Sequence, residues 1–276
     1  MSINLNGNSV SGFIKRSLSE ATSDMALHMQ RLSSGLRINS ASDDAAGLGL
    51  SRKLKTQISA SDIVKNNTQT GVNLLQVADA DLGAMNDLMA RMRDISVQSA
   101  NGVYTAAERT ALNAEFTNLR TEIDRISSSS SFSDLKLLNT LALSITLQIG
   151  TNNVAAEDRI TITLDRATST DFAINTNAID TQSNAQTAIG ALDTAISNIA
   201  TRRSTIGSTI NRLVSSISRV DSRKENLVSA NSIIEDADIA TESARLGKSQ
   251  IRQQASATLL QQANQMSTVA LSLIQS

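Results

Sequence analysis

The chain has 276 residues and a formal net charge of −1, with no Cys, no Pro and only 2% aromatic residues. The lack of Cys excludes disulfides, thiolate zinc sites and cysteine nucleophiles, and the balanced charge gives no field to attract nucleic acid or an anionic membrane. Because aromatic side chains bury the most area per residue, this chain must gain stability from many small contacts, which long helices without Pro can supply.

The first predicted helix carries a thin apolar stripe and ends at Gly35. Its members recur three or four residues apart and are Ile14, Leu18, Ala21, Met25, His28 and Leu32. Such a helix is marginal in water without a partner surface. His28 has no Cys or acidic cluster at ligand spacing, so we interpret it as a packing residue or a helix–helix hydrogen-bond partner and predict no metal site.

A second predicted helix follows Asp43 and Asp44. Adjacent carboxylates ahead of a helix favour capping and a dipole interaction over general acid–base catalysis. The helix stripe consists of Leu75, Ala78, Leu82, Met85, Met89 and Met92, flanked by Leu74, Leu88 and Ile95. Helical spacing beside Leu indicates that these methionines are core residues, although a Met-rich surface can also be an adaptable binding groove. We expect the helix to end at Asn101–Gly102, with Gly102 left-handed.

The third predicted helix begins with a capping box. Thr105 and Glu108 have the spacing at which each side chain bonds the other residue's backbone N–H. The apolar stripe that follows is Leu112, Phe116, Leu119, Ile123 and Ile126. Together with the neighbouring stripes, it predicts a helical bundle.

Between the two halves of the chain, the hydrophobic period changes from 3.6 to 2. Residues 143–149 and 160–164 alternate apolar with polar side chains, which predicts a β-hairpin with a long connection. We interpret the serine run Ser127–Ser131 as the loop before the hairpin. Residues 166–184 are interpreted as a polar return to the next helix.

The longest apolar stripe lies in the C-terminal half. Eleven of its fourteen positions are apolar, and the alternating spacing of three and four predicts coiled-coil-like packing. The positions are Ile189, Leu192, Ile196, Ile199, Arg203, Ile206, Ile210, Leu213, Ile217, Val220, Lys224, Leu227, Asn231 and Ile234. We expect it to pair with the second helix.

A final helix is predicted over 251–274. Its expected stripe is Ile251, Ala255, Leu259, Ala263, Met266, Ala270 and Leu273. The segment before it, Glu235–Asp238, lacks the Gly and terminal Glu of a calcium loop. We therefore interpret that segment as a solvated helix start or as a polar contact between subunits.

The sequence contains no constellation that supports catalysis. It has no Gly-rich phosphate loop, no Ser/His/Asp arrangement and no basic–aromatic surface. We predict no enzyme activity and no cofactor. The N-terminus also lacks the parts of a cleaved secretory signal, and no apolar run is long enough for a membrane span, so we expect cytosolic residence or signal-independent export.

Both ends of the chain carry a recognisable signature. Residues 30–47, QRLSSGLRINSASDDAAG, resemble the N-terminal signature of bacterial flagellins. Residues 234–242, IEDADIATE, followed by Gln253–Ala255 and Gln262–Gln265, resemble the C-terminal one. The resemblance extends more weakly through the middle of the chain.

The resemblance implies a mainly α fold in which long antiparallel helices form a coiled-coil or bundle rod, with a small β-hairpin region between the halves. By this likeness residues 1–45 and 235–276 form a terminal filament-core domain. Residues 46–140 and 181–234 form a helical bundle domain, to which residues 141–180 add the hairpin and return loop. Variable outer domains are missing, so the chain resembles a short flagellin.

A flagellin polymerises into the bacterial flagellar filament for motility. The resemblance therefore implies a homo-polymer outside the cell, exported without a cleaved signal by the flagellar export machinery and its chaperone, and in contact with hook-associated and cap proteins. The candidate polymerisation interface is Ile14, Leu18, Met25, Leu32, Asp43, Asp44, Ile251, Leu259, Met266 and Leu273.

One segment of the second helix resembles the part of flagellin that an animal Toll-like receptor recognises. The candidate recognition residues are Arg91, Asp94, Ile95, Gln98 and Glu115. The alternative is a solvated face that neighbouring subunits cover. Two other functions also remain open, a hook–filament junction protein of the same superfamily and a secreted receptor-binding helical module.

Overall fold

The computed structural model describes the backbone of residues 9–275 and the side chains of residues 10–265. The helices are α1 (Ser9–Ser34), α2 (Ala45–Ser99), α3 (Ala106–Ser129), α4 (Ala155–Asp158), α5 (Gln182–Glu235) and α6 (Ile239–Gln275). The strands are β1 (Ser131–Phe132), β2 (Leu135–Lys136), β3 (Leu143–Gln148) and β4 (Arg159–Leu164). The mainly α prediction is confirmed.

The chain divides into two compact units. The first consists of Met1–Thr56 and Asn226–Ser276, and the second of Gln57–Glu225. Helices pack against each other within each unit, and the types of residue at these helix contacts differ between the two units.

The second unit contains the main hydrophobic core. The α2 stripe is buried from Leu75 to Met92, and it packs with the α5 positions Leu192, Ile199 and Leu213. Phe116 and Ile123 of α3 are fully buried in the same core. The three stripes expected to form a bundle therefore share one core.

Ion pairs show that α2 and α5 are antiparallel within this unit. Lys65 contacts Asp221 at 2.9 Å, near the start of the unit, whereas Arg93 contacts Asp193 at 2.6 Å, near the end of α2. The Arg203 position of the predicted stripe is exposed, and its guanidinium binds Asp79 at 2.9 Å. A long cation at a seam position is tolerated because it reaches a carboxylate at the edge.

The predicted hairpin is confirmed as a two-stranded antiparallel sheet. Leu143 pairs with Leu164 and Gln148 with Arg159. Alternate residues of β4, Ile160, Ile162 and Leu164, are buried against the core. The second two-stranded sheet, β1 with β2, was not expected because each strand has only two residues.

Residues 166–184 are not the polar return that the sequence suggested. Ala167, Phe172, Ile174 and Ile179 are all buried in the core. The segment is irregular, so its apolar residues follow no helical or strand period that could reveal their burial.

The serine run is also more ordered than expected. Helix α3 continues to Ser129, and Ser127 is buried, donating its hydroxyl to the Leu138 carbonyl at 2.8 Å. A hydroxyl that satisfies a buried carbonyl can therefore sit inside a core where composition alone suggests a loop.

The end of α2 differs from the prediction. The helix ends at Ser99, and among the described glycines only Gly35 has a positive φ, 71°. Gly102 is therefore not a left-handed cap. Instead the guanidinium of Arg109, buried on α3, donates to the carbonyls of Ser99, Asn101 and Tyr104 at 2.9, 2.7 and 2.6 Å. The predicted Thr105–Glu108 capping box is confirmed.

In the first unit α1 packs antiparallel to α6. Ser17 contacts Ser256 at 3.4 Å, and farther along, His28 contacts Glu242 at 2.6 Å. The connections after α1 and α5 also meet, since the Ala237 N–H donates to the Gly35 carbonyl at 2.9 Å.

Candidate functional site

The surface of α6 that contacts α1 consists mostly of small and polar residues. Its buried or half-buried positions alternate four and three residues apart, which is the spacing of a helix–helix seam. These positions are Glu242, Leu246, Ser249, Gln253, Ser256, Leu260 and Ala263. The pairing within one chain therefore buries little apolar surface on α6.

The stripe predicted on α6 is not the intrachain seam. Ile251 and Leu259 remain 69% and 52% exposed, Ala255 is exposed, and only Ala263 is buried. The repeated spacing of four from Ile251 to Ala263 drifts around a helix with 3.6 residues per turn, whereas the observed seam alternates. The predicted positions Met266, Ala270 and Leu273 lie outside the residues whose side chains are described.

In the structure the predicted stripe on α1 lies on the face toward α6. Ile14 and Ala21 are buried, and Leu18, Met25 and Leu32 are half-buried.

Other apolar side chains of α1 lie outside this seam and are exposed. Val10, Phe13 and Met29 are 61%, 67% and 57% exposed. These residues were not predicted because only one apolar stripe on α1 was considered. All three are large apolar residues that the sequence shows outside that stripe. We use the name outer apolar surface for these three residues together with Ile251 and Leu259, all of which are exposed on the α1–α6 helix pair.

A polar cluster closes one end of the α1–α6 seam. The carboxylate of Glu242 is buried; it accepts a hydrogen bond from His28 and lies 3.5 and 3.0 Å from Arg31 and Arg245. Burial disfavours its ionised form, but the His28 hydrogen bond and the nearby positive charges outweigh burial and lower the pKa of Glu242. The interpretation of His28 as a helix–helix hydrogen-bond partner is confirmed.

Asp43 and Asp44 have separate roles at the α1–α2 turn. Asp44 caps α2, accepting from the Gly47 N–H at 2.8 Å. Asp43 accepts from the backbone N–H groups of Ser40 and Asn39 at 2.8 and 3.0 Å. These bonds, together with the Ser40 hydroxyl, lower the pKa of Asp43. The capping prediction thus holds for Asp44, and Asp43 instead fixes the turn.

Glu235 is not part of a solvated helix start. It is a buried residue at the end of α5, and its carboxylate accepts hydrogen bonds from Ser51 and Lys55 at 2.6 Å and from Asn231 at 3.1 Å. Burial opposes ionisation, yet the Lys55, Ser51 and Asn231 hydrogen bonds prevail and lower the pKa of Glu235. Asp238 does start α6, because it accepts from the Ala240 N–H at 2.9 Å.

The candidate receptor-recognition residues are split between surface and core. Arg91 donates to Glu115 at 2.9 Å across α2 and α3, and Gln98 donates to the Tyr104 hydroxyl at 3.0 Å. Asp94 is exposed. Ile95, however, is fully buried, so its side chain lies in the core and not on the recognition surface where the sequence placed it.

The described part of the chain holds neither a candidate metal site nor a candidate membrane span. No group of three or more His, Asp or Glu residues there is placed to hold a metal ion. Likewise, none of the helices within residues 9–275 contains a stretch suited to crossing a membrane.

Comparison with known families identifies both ends of the chain. Residues 5–142 match the bacterial flagellin N-terminal helical region. Residues 189–274 match the bacterial flagellin C-terminal helical region.

Similar proteins cover nearly the whole chain. A flagellin of Halalkalibacterium halodurans is 37% identical over 246 residues, 89% of this chain and 90% of that one. The flagellar filament 33 kDa core protein of Treponema phagedenis is 35% identical over 98% of this chain and 99% of its own. The crystal structure of Bacillus cereus flagellin, 31% identical, covers 60% of this chain and 94% of that chain with a TM-score of 0.49.

Proposed function

The chain belongs to the bacterial flagellin family and is a structural subunit of the flagellar filament, and from this premise we propose that its outer apolar surface joins neighbouring subunits. It is a short member in which β4 is followed by only 17 residues before α5, with no central domain inserted.

The proposal rests on which residues of α1 and α6 lie in their seam and which remain exposed. On α6 the seam consists mostly of small and polar residues such as Ser249 and Ser256, whereas Phe13, Ile251 and Leu259 are exposed to water. Large apolar residues that lie outside the seam of a helix pair are available for contacts with other copies.

The energies are adequate for assembly. Fully burying one large aliphatic or aromatic side chain contributes about 1.5–3 kcal/mol, and each subunit of a helical polymer meets several neighbours. Contacts between two different surfaces do not close on themselves, so they propagate into an open filament.

The candidate interface residues then take two roles. Ile14, Leu18, Met25 and Leu32 hold α1 on α6 and so present the outer apolar surface, while Asp43 and Asp44 set the turn that follows α1. Ile251 and Leu259 contact neighbouring copies directly, and Met266 and Leu273 are proposed to continue that surface. Residues 1–45 and 235–276 would form the filament core in this arrangement, residues 46–140 and 181–234 the bundle around it, and residues 141–180 the hairpin region of that bundle.

Family membership also supports proposals about partners and location. The subunit is proposed to leave the cell through the flagellar export machinery without a cleaved signal, after contact with its chaperone. At the two ends of the filament it would meet hook-associated and cap proteins. Since the family is structural, we propose no catalytic activity and no cofactor.

Recognition by a Toll-like receptor is a second proposal, supported by one feature of the surface. The exposed Arg91–Glu115 ion pair joins α2 to α3, so the two helices present a fixed charged patch with Asp94 and Gln98. A receptor-reporter assay should lose most of its response to Arg91→Ala. An unchanged response would contradict this proposal.

Seeded elongation, observed by electron microscopy, tests the filament role. Purified protein should extend filament seeds, and removing residues 1–35 should abolish extension. A junction protein or a monomeric receptor-binding module would not extend seeds, and unchanged extension by the truncated chain would contradict the role given to α1.

Single substitutions locate the surface more sharply than the truncation. Phe13→Ser should weaken extension, whereas Val103→Ser, which changes a 78% exposed residue in the α2–α3 turn, should not. Equal behaviour of these two variants would refute the assignment of the outer apolar surface.

A further inference from the structure

Two adjoining cavities in the second unit lie between residues 149–160, which include the β3–β4 connection and the start of β4, and the middle of α5. The larger, of about 720 Å³, is lined by Arg159, Arg212 and Arg219. The smaller, of about 250 Å³, is lined by Arg219 and Arg223. We name this region, with its four arginines, the arginine cleft.

The arginines of the cleft lack acidic partners. Arg159 donates to the neutral side chains of Gln148 at 3.2 Å and Asn153 at 2.5 Å, and Arg219 reaches the Ser216 hydroxyl at 3.5 Å. Arg212 and Arg223 make no hydrogen bond or ion pair with any residue that the structure describes. By contrast, most other arginines of this unit are bound to carboxylates or to backbone carbonyls.

The acidic lining of the cleft does not balance this charge. Glu157 and Asp158 are its carboxylates, and Asp158 is buried, accepting from the Val154 N–H at 3.0 Å. Thr151, whose buried hydroxyl has no partner among the described residues, also lines the smaller cavity. Guanidinium groups with a free donor edge favour carboxylates in bidentate geometry.

Helix α2 of the same unit also exposes two carboxylates that lack partners. Asp87 and Asp94 on α2 are exposed and make no hydrogen bond or ion pair within the described residues. The cations closest to them are already engaged, because Arg203 binds Asp79 and Arg93 binds Asp193.

The two unpaired sets have the same spacing. Asp87 and Asp94 are seven residues apart on α2, and Arg212 and Arg219 are seven residues apart on α5. Seven residues span two helical turns, about 10.5 Å, and return to nearly the same face. Two helices lying side by side could therefore form both ion pairs at once.

These pairs cannot form within one chain. The Lys65–Asp221 and Arg93–Asp193 contacts set the level of α5 against α2, and by that register Arg212 is level with position 74. Asp94 lies 20 residues farther along α2, about 30 Å at 1.5 Å per residue.

We propose that the arginine cleft binds the exposed carboxylates of a second copy, Arg212 pairing with Asp94 and Arg219 with Asp87. Neighbouring copies in a filament point in the same direction, so α5 of one copy lies antiparallel to α2 of the next, as this pairing requires. The two copies are then shifted by about 30 Å along the helices. This inference rests on the proposed filament function and adds a charged contact in the second unit to the apolar contacts of the first.

Charge exchange tests the pairing and its register. Arg212→Asp should raise the critical concentration for seeded elongation at least about fivefold, because it replaces an ion pair with a repulsion. Asp94→Arg should do the same, and the double variant R212D/D94R should return to within about twofold of the unmodified protein. R212D/D87R, which places the compensating charge seven residues away from the proposed partner position, should not restore elongation.

Controls separate assembly from folding. Arg125→Asp changes another exposed arginine of the unit, one paired only with Glu122 of its own helix, and should elongate normally. All variants should melt as monomers at the temperature of the unmodified chain, since the substituted residues are exposed. A short bismaleimide should also link Arg212→Cys to Asp94→Cys in mixed filaments of this Cys-free protein.

The outcomes distinguish a failure of the filament function from a failure of the arginine-cleft contact alone. If the unmodified protein does not elongate seeds, the filament function and this inference both fail. If it elongates but R212D elongates equally well, or R212D/D94R is not rescued, or the bismaleimide yields no linked dimer, only the arginine-cleft contact is overturned.

Discussion

Replacing Ile251 by Ser on α6 measures how much the outer apolar surface contributes to assembly. The side chain is 69% exposed in the lone chain, so about two-thirds of the 1.5–3 kcal/mol available from its full burial remains to be gained on contact. The loss should therefore be about 1–2 kcal/mol per subunit. Because 1.4 kcal/mol is a tenfold change in an equilibrium constant, the critical concentration should rise about 5- to 30-fold.

The assay is seeded elongation at a series of protein concentrations, with the pelleted fraction giving the critical concentration. Thermal unfolding of the monomer should change little, because an exposed substitution usually alters stability by about 0.5 kcal/mol or less. Val103→Ser is the control, since it removes a similar exposed apolar side chain from the α2–α3 turn. Elongation of Ile251→Ser at the unmodified protein's critical concentration would refute the reasoning.

Three further predictions concern the folded chain. Arg109→Ala should lower the free energy of unfolding by about 2–4 kcal/mol, because it leaves the carbonyls of Ser99, Asn101 and Tyr104 without their charged donor; urea unfolding followed by circular dichroism would measure this, and a change below about 1 kcal/mol would contradict it. The ionised Glu242 stabilises the α1–α6 seam above the ordinary glutamate pKa of about 4.3, and since its folded pKa is lowered, that stabilisation should fade as pH falls from there through the folded pKa. Melting curves across this range should show the loss, and Glu242→Gln should flatten the pH dependence. Gly190→Ala on α5, where an added Cβ meets nothing within 4 Å, should stabilise the monomer by about 0.5–1 kcal/mol; a lower melting temperature would exclude this.

The sequence was sufficient to place the long helices and their shared core. The stripe from Leu75 to Met92 and the stripe from Ile189 to Ile234 were both predicted, and both are buried or half-buried apart from Arg203. Helical spacing is a local property of the chain, so such faces can be located without knowing what they contact. The capping box at Thr105 and the alternation of apolar and polar residues in the hairpin strands are also local properties of the chain.

The features that the sequence missed depend on distant partners. The cap of α2 comes from Arg109 on the following helix, and the core contribution of Phe172 comes from an irregular segment without a period. The burial of Glu235 could not be foreseen either, because the Ser51 and Lys55 groups that satisfy its carboxylate lie about 180 residues away.

By itself the amino-acid sequence determined that this is a long-helix protein with flagellin signatures at both ends and no material for disulfides. Only the tertiary structure decided which face of α6 meets α1. That choice followed the small and polar residues at Ser249 and Ser256 and left Ile251 in water. The physical reason is that a stripe predicts a buried face but not its partner, and a partner is selected by close fit and hydrogen bonding between whole surfaces.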